Sequence, residues 1–398
     1  MRLIASAAGI TVCVLLLAWY FRNKPPVSDT QAPLLTSVPD LGRFPVSLPA
    51  QPAATDKKPG IEVGIEVCGL GKSTGDPSDF ADFSDVYESL NSRMEHSRQQ
   101  WLTAILHSSD LRTRAVGLLA NNGFVNALQG AHSQDSVSSL VQLATNSRDP
   151  LIYSIAIHAC KPAFTKDPVA ACQQINLTDW SDLDPDNAVP WLALAQEAHA
   201  AKDPIAEATA YARAATATRF DNYNWSLYSY VEPLLPAEAS PLERYMLATG
   251  LVGLEAAMTQ SYQAAYQHCS AAAAADVAVR SECSAVAELM VSKGNSLLDL
   301  AIGTSIGARV GWPADRVKAL RKKKDAIMQL AWDHGGSADP TKQLTCDAIN
   351  QANVFMTEWA RNGELGAHEE ELQRSGRTID ELAQAYHERQ QQAGIASQ

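Results

Sequence analysis

Basic side chains are scarce in this sequence. Its 398 residues include 32 lysines and arginines against 44 aspartates and glutamates, a formal net charge of −12. Broad nucleic-acid binding needs a basic surface, so this balance argues against it. Charged residues make up 19% of the chain and hydrophobic residues 46%, so most of it can bury a core. The length is too great for one small core.

Compact catalytic and ligand-binding motifs are missing as well. The nine histidines form no HExxH motif and no zinc-type set with cysteine, and no CxxC occurs. Residues 303–307, GTSIG, fit G-x-S-x-G, but the preceding residues continue a helical pattern, so we predict a break between helices rather than a nucleophilic Ser305. Residues 69–74, GLGKST, resemble a phosphate-binding loop, but Glu66 stands where its first glycine belongs. We therefore predict no catalytic residue, no metal ligand and no cofactor.

One long apolar run is present, at residues 3–21, LIASAAGITVCVLLLAWYF. It contains no charged residue, and about 20 such residues span a hydrocarbon core. Trp19, Tyr20 and Phe21 close the run where an aromatic belt would lie. A cleaved signal peptide is the alternative, but no A-x-A-like site ends the run. We predict a transmembrane signal anchor over residues 1–21, which would attach the protein to a membrane.

The anchor is followed by a proline-rich segment. Residues 22–60 hold eight of the twenty prolines of the chain. Proline lacks an amide donor and restricts the residue before it, so neither helix nor sheet is expected here. We predict a semi-rigid spacer that holds the following domain away from the bilayer.

Six cysteines remain outside the predicted anchor, and an even number favours disulfides over buried free thiols. Two short separations could each cross one helical hairpin, and the two remaining cysteines would join the ends of the domain. The predicted pairs are Cys160–Cys172, Cys269–Cys283 and Cys68–Cys346.

The predicted disulfides also bear on orientation. Basic residues flank the apolar run almost equally on its two sides, so they do not determine the orientation. Disulfides persist in oxidising compartments, which favours a domain outside the cytoplasm. An overall resemblance to alanine-rich proteobacterial proteins implies a bacterial source. We therefore predict a single-pass protein of the bacterial inner membrane with its C-terminal domain in the periplasm.

Almost all of the chain after residue 60 has a helical pattern; only Ile61–Val67, IEVGIEV, alternates like a strand. Capping boxes at Ser240 and Thr378 mark helix starts. Helices are predicted near 82–106, 110–121, 135–146, 150–160, 187–201, 204–217, 241–262, 276–300, 314–333, 340–361 and 379–391. The predicted fold class is all-α, a helical-hairpin solenoid or bundle with N-terminal (61–180) and C-terminal (181–398) helical subdomains.

One stretch, about residues 183–228, resembles a tetratricopeptide repeat. The repeat-motif core positions are Trp191, Leu194, Ala195, Tyr211, Ala214 and Trp225, the last 34 residues after the first. The match weakens at Lys202, which replaces the usual turn glycine, and at Glu207, which stands where a small residue should pack. The resemblance implies one repeat within a helical-hairpin array, a type of fold that often offers a concave face to a protein partner.

The leading functional hypothesis is a non-catalytic role in protein–protein interaction or assembly in the cell envelope. Partners would be the membrane, through residues 3–21, and another envelope protein, but not nucleic acid. A helical periplasmic hydrolase with spatially assembled carboxylates is the alternative. A cytosol-facing adaptor with reduced cysteines is a third hypothesis.

Overall fold

A computed structural model of the protein describes residues 65–69, 71–73, 84–129, 134–162, 164–165, 168–223, 227–259, 261–335 and 345–392. The predicted anchor at 1–21, the predicted spacer at 22–60 and the first four residues of the predicted strand lie outside these ranges. Within them, no helix combines the length and the apolar character that crossing a bilayer requires.

Most of the described chain is α-helical, which confirms the predicted all-α class. A hairpin of two three-residue antiparallel strands, β1 (Ile65–Val67) and β2 (Gly71–Ser73), precedes the helices, with Ile65 opposite Ser73. The helices are α1 (Ser84–Leu106), α2 (Leu111–Gln129), α3 (Gln134–Ser147), α4 (Pro150–Ala159), α5 (Leu177–Leu183), α6 (Ala188–Ala201), α7 (Pro204–Thr216), α8 (Leu227–Val231), α9 (Pro241–Ala257), α10 (Gln263–His268), α11 (Val277–Lys293), α12 (Leu297–Arg309), α13 (Ala314–Gly335), α14 (Cys346–Ser375) and α15 (Ile379–Gln392).

Some helix bounds differ from the predicted ones; α2, for example, extends to Gln129 instead of residue 121. Three further differences concern whole helices. The helix predicted over 276–300 is two helices, α11 and α12, because Ser296 begins a new capping box with Asp299. Three short helices, α5, α8 and α10, were not predicted. The helix predicted over 340–361 continues to Ser375 instead: Gly363, with φ 72° and ψ 173°, kinks α14 but does not end it.

One large core joins most of the helices. Its buried side chains run along the chain from Trp101 to Ala360 and so cross the predicted subdomain boundary at residues 180–181. Trp101 and Trp180 are at most 1% exposed, and burying a large apolar side chain stabilises the fold by about 1.5–3 kcal/mol. Trp101 is also fixed in direction, because its indole N–H donates to the carbonyl oxygen of Val231 at 3.0 Å.

The residues that resemble a tetratricopeptide repeat form a helical hairpin, α6 and α7. Lys202, at the glycine position of the turn, adopts the left-handed conformation with φ 60°, and the carboxylate of Asp203 then caps α7. Glu207 does not pack as a small residue would, since its carboxylate accepts from His199 Nδ1 at 3.1 Å. Trp191 is half-buried and donates to the carbonyl oxygen of Pro185 at 3.0 Å.

The remaining positions of that motif are mostly in the core. Tyr211 and Ala214 are buried on α7, and Ala195 is buried on α6 beside the half-buried Leu194. Trp225 lies outside the described residues. These side chains therefore pack the hairpin against its neighbours.

The six cysteines pair as predicted: Cys68–Cys346, Cys160–Cys172 and Cys269–Cys283. The predicted reason for one pair was wrong. The described residues between Cys160 and Cys172 form turns and the start of a 3-10 helix, Ala170–Gln174, rather than a helical hairpin. Cys68–Cys346 ties the β-hairpin to the first residue of α14, across 278 residues of sequence. That bond holds the N-terminal end of α14 against the rest of the fold.

Candidate binding groove

One face of α14 is the starting point of the candidate site. Asn350, Asn353, Thr357 and Arg361 follow one another at intervals of three or four residues, which places them on one side of a helix. Val354 lies on the same side and is 53% exposed. These residues face a second wall formed by α8, the turn after it and α9.

The space between the two walls is a cavity of about 480 Å³, which we name the amide groove. Asn353 Nδ2 donates to the carbonyl oxygen of Pro241 at 2.8 Å, and Thr357 Oγ1 donates to Glu232 Oε1 at 2.8 Å. These two hydrogen bonds cross between the walls and fix their separation. The second wall consists of Tyr228, Glu232, Leu235, Pro241 and Arg244.

A second cavity, of about 620 Å³, adjoins the first at Arg361, which lines both. We name it the arginine cleft, because Arg112 of α2 and Arg219 also line it. Tyr223 and Tyr230 supply phenol groups to the same wall. Five separate parts of the chain therefore meet here: α2, α4, the segment after α7, α8 and α14.

Arg112 is held in place by two partners. Its Nε donates to Asp149 Oδ2 at 2.8 Å, and its Nη1 donates to the hydroxyl of Tyr230 at 3.1 Å. Burial alone would lower the pKa of Arg112, but these two hydrogen bonds raise it above its ordinary value. Asp149 also caps α4 through the amides of Leu151 and Ile152. The Arg112 guanidinium therefore stays charged, and Asp149 at the start of α4 fixes its position.

Arg219 is held by a larger network. Its guanidinium forms an ion pair with Asp184, donates to Asp221 Oδ2 at 3.2 Å and donates to the hydroxyl of Tyr223 at 3.0 Å. The Tyr223 hydroxyl in turn donates to Asp184 Oδ2 at 2.7 Å. Burial raises the pKa of Tyr223, so the phenol stays neutral. The network fixes Arg219 while its charge is balanced by two carboxylates.

Arg361 and Arg244 differ from these two arginines. Arg361 is exposed and makes no hydrogen bond or ion pair with any residue that the structure describes. Arg244 donates only to backbone carbonyl oxygens, those of Ala239 at 3.1 Å and Pro236 at 3.0 Å among them. Within the described chain, these are the two cations of the groove lining that no carboxylate neutralises.

The described residues that line the two cavities supply guanidinium, amide, hydroxyl, phenol and carboxylate groups. Neither is lined by a histidine or a cysteine, the commonest general base and the strongest side-chain nucleophile at neutral pH. No cluster of three potential metal ligands exists among the residues that the structure describes. Ser305 lies in the middle of α12, so residues 303–307 form no strand-to-helix turn of the nucleophile type.

Two buried carboxylates do lie close together, but elsewhere. Asp299 is fully buried and accepts from the hydroxyl of Tyr262 at 2.8 Å, while Glu364 Oε2 accepts from the amide of Leu297 at 2.7 Å. Burial and, to a smaller extent, the charge of Asp299 raise the pKa of Glu364 to about 7, while the hydrogen bond from Leu297 acts in the opposite direction. Neither carboxylate lines either cavity. They hold the start of α12 against the kink of α14.

The groove residues were not predicted from the sequence. The pattern at 350, 353, 354, 357 and 361 is visible there, but the same spacing describes any polar helix face. What distinguishes this face is the wall opposite it, whose residues lie more than 100 positions earlier in the chain. The disulfide cysteines and the described repeat positions that the sequence did single out do not line the cavities.

Comparison with known proteins identifies no relative. No protein-family model, no curated protein and no solved structure matches the chain. The resemblance of residues 183–228 to a tetratricopeptide repeat therefore stays a prediction.

Proposed function

We propose that this protein is a non-catalytic binding component of the bacterial cell envelope, which captures a protein partner in the amide groove and the arginine cleft. Residues 3–21 would anchor it in the inner membrane, and the spacer at 22–60 would carry the helical domain into the periplasm. The observation that carries the proposal is the pair of adjoining cavities along α14, whose linings are rich in hydrogen-bonding groups.

Two further features support the envelope location. Three disulfides suit an oxidising compartment such as the periplasm. The uncharged run at 3–21 has the length of a membrane span. In a cytosol-facing adaptor the six cysteines would be reduced, so all six would react with an alkylating reagent without added reductant. Counting the reactive thiols of the purified protein measures this.

Site-specific photocrosslinking in intact cells tests the binding role. A benzophenone amino acid is placed at Val354, which is exposed in the amide groove, or at Ile205, which is 79% exposed on α7 as a matched control. We expect a discrete protein adduct from position 354 that is absent from position 205. The proposal fails if position 354 gives no adduct, or if both positions give the same adducts.

A further inference from the structure

The two cavities together have the form of a groove for an extended chain. From Asn350 to Arg361 the α14 face is about 16 Å long, at 1.5 Å per helical residue. An extended peptide advances about 3.3 Å per residue, so this face matches about five residues of peptide. The arginine cleft extends the space beyond Arg361.

Polar side chains of the amide groove can hydrogen-bond a peptide backbone. Asn353 and Thr357 are half-buried on the face of α14 that lines the groove. Asn350 adds an exposed amide on the same face.

Apolar contacts lie between these polar groups. Val354 is exposed in the groove, and Leu235 and Pro241 line the opposite wall. Alternating polar and apolar contacts along an extended path are typical of peptide recognition, where backbone hydrogen bonds give affinity and side-chain contacts give specificity.

The charges determine which peptide fits. Arg112 and Arg219 are balanced by Asp149, Asp184 and Asp221. Arg361, where the two cavities meet, has no such partner, and neither has Arg244 in the amide groove. A planar guanidinium presents paired N–H groups that match a carboxylate. Glu358 is paired with Arg374, whereas Glu232 accepts a hydrogen bond from the neutral hydroxyl of Thr357 and keeps its own charge. The attraction for an acidic group is therefore local to Arg361 and does not extend to the whole lining.

We infer that the amide groove and the arginine cleft together bind an extended peptide segment of the partner, with an aspartate or glutamate side chain seated on Arg361. The inference rests on the proposed function and adds to it the chemical class of the ligand.

Panning of a phage library tests this inference. Random peptides about eight residues long are selected against the full-length protein in detergent micelles. We expect enriched peptides to share an acidic residue at one position. When the library is selected against Arg361→Glu, the enriched peptides should carry lysine or arginine in place of that acidic residue. Arg321→Glu changes an exposed arginine of α13 and is the control, for which the enriched peptides should keep the acidic residue. Binding of the best peptide should weaken about tenfold in Arg361→Glu and less than about twofold in Arg321→Glu.

The inference is overturned if no peptide is enriched, if the enriched peptides show no acidic preference, or if Arg361→Glu selects the same peptides as the wild type. Circular dichroism melting of both variants distinguishes loss of recognition from loss of fold. If the photocrosslink at position 354 persists while any of these results is obtained, the proposed binding function stands and only the ligand class is wrong.

Discussion

Two regions of the domain bury apolar side chains on different scales. The main region, residues 84–309 and 346–362, contains the large core, and every disulfide either lies within it or joins it to the β-hairpin. The C-terminal region, residues 314–335 and 364–392, has two small clusters, one centred on Ile327 and Leu365 and the other on Leu330 and Leu382.

Ion pairs connect the helices of the C-terminal region instead. Asp333 of α13 accepts from Arg377 at 3.0 Å and from Arg389 at 3.1 Å, and Lys322 reaches Asp380 of α15 at 2.5 Å. Half-exposed pairs of this kind each contribute about 1 kcal/mol or less and weaken in salt. Salt does not screen the buried apolar contacts and the disulfides of the main region in this way. The stability of the two regions should therefore respond differently to added salt and to substitutions.

The largest difference is expected from matched tryptophan substitutions. Trp101→Ala in the main region removes a 1% exposed side chain and its hydrogen bond to Val231, so the free energy of unfolding should fall by about 4 kcal/mol. Trp332→Ala in the C-terminal region removes a side chain that is 40% exposed and should cost less than about 1 kcal/mol. Chemical denaturation of both variants measures this, and equal losses would contradict the distinction between the regions.

A smaller, pH-dependent effect is expected where the regions meet. The pKa of Glu364, about 7 in the fold, lies above its ordinary value of 4.5, so the folded protein retains a proton that the unfolded chain releases. This contribution to stability is complete below about pH 4.5 and is lost as the pH rises through 7. Glu364→Gln should therefore match the wild type at low pH and be about 3 kcal/mol more stable at pH 8.

Glu364→Ala provides the control for that prediction. It also removes the titrating group but leaves the amide of Leu297 without its acceptor, so it should be less stable than Glu364→Gln at both pH values. Thermal melts at pH 5 and pH 8 measure these differences. A constant difference between wild type and Glu364→Gln would show that this carboxylate does not couple folding to pH.

The smallest effect is expected from the surface charges. Asp333→Asn weakens both arginine contacts and should lower the local stability of α15 by about 0.5–1 kcal/mol. Native-state hydrogen exchange can follow α15 and α4 in the same sample. In about 1 M salt the wild type and the variant should exchange alike in α15, because the pairs are screened. A salt-independent difference, or an equal effect in α4, would indicate a role beyond ion pairing.

Local sequence signals were sufficient for most of the helices. Proline after an acidic cap and the Ser240–Glu243 capping box mark real starts, because these side chains satisfy amides that the first turn leaves unpaired. The division between α11 and α12 was missed although Gly294 and Ser296 signal it. A Cβ at Gly294 would lie 2.3 Å from the carbonyl oxygen of Met290, so only glycine fits that turn.

The helical class was predictable from the sequence, because periodicity and capping act over short distances along the chain. The two short cysteine pairs followed from their small sequence separation, and Cys68–Cys346 was the pair that remained. The groove was not predictable. Arg112, Arg219 and Arg361 look alike in sequence, and only the fold gives carboxylate partners to the first two and leaves the third without one. Likewise, the high pKa of Glu364 follows from its burial beside Asp299, 65 residues away. The charge balance and the desolvation of a residue depend on its neighbours in space. For Arg361 and Glu364 these neighbours are distant in sequence, so only the tertiary structure determined the unpaired charge of the first and the high pKa of the second.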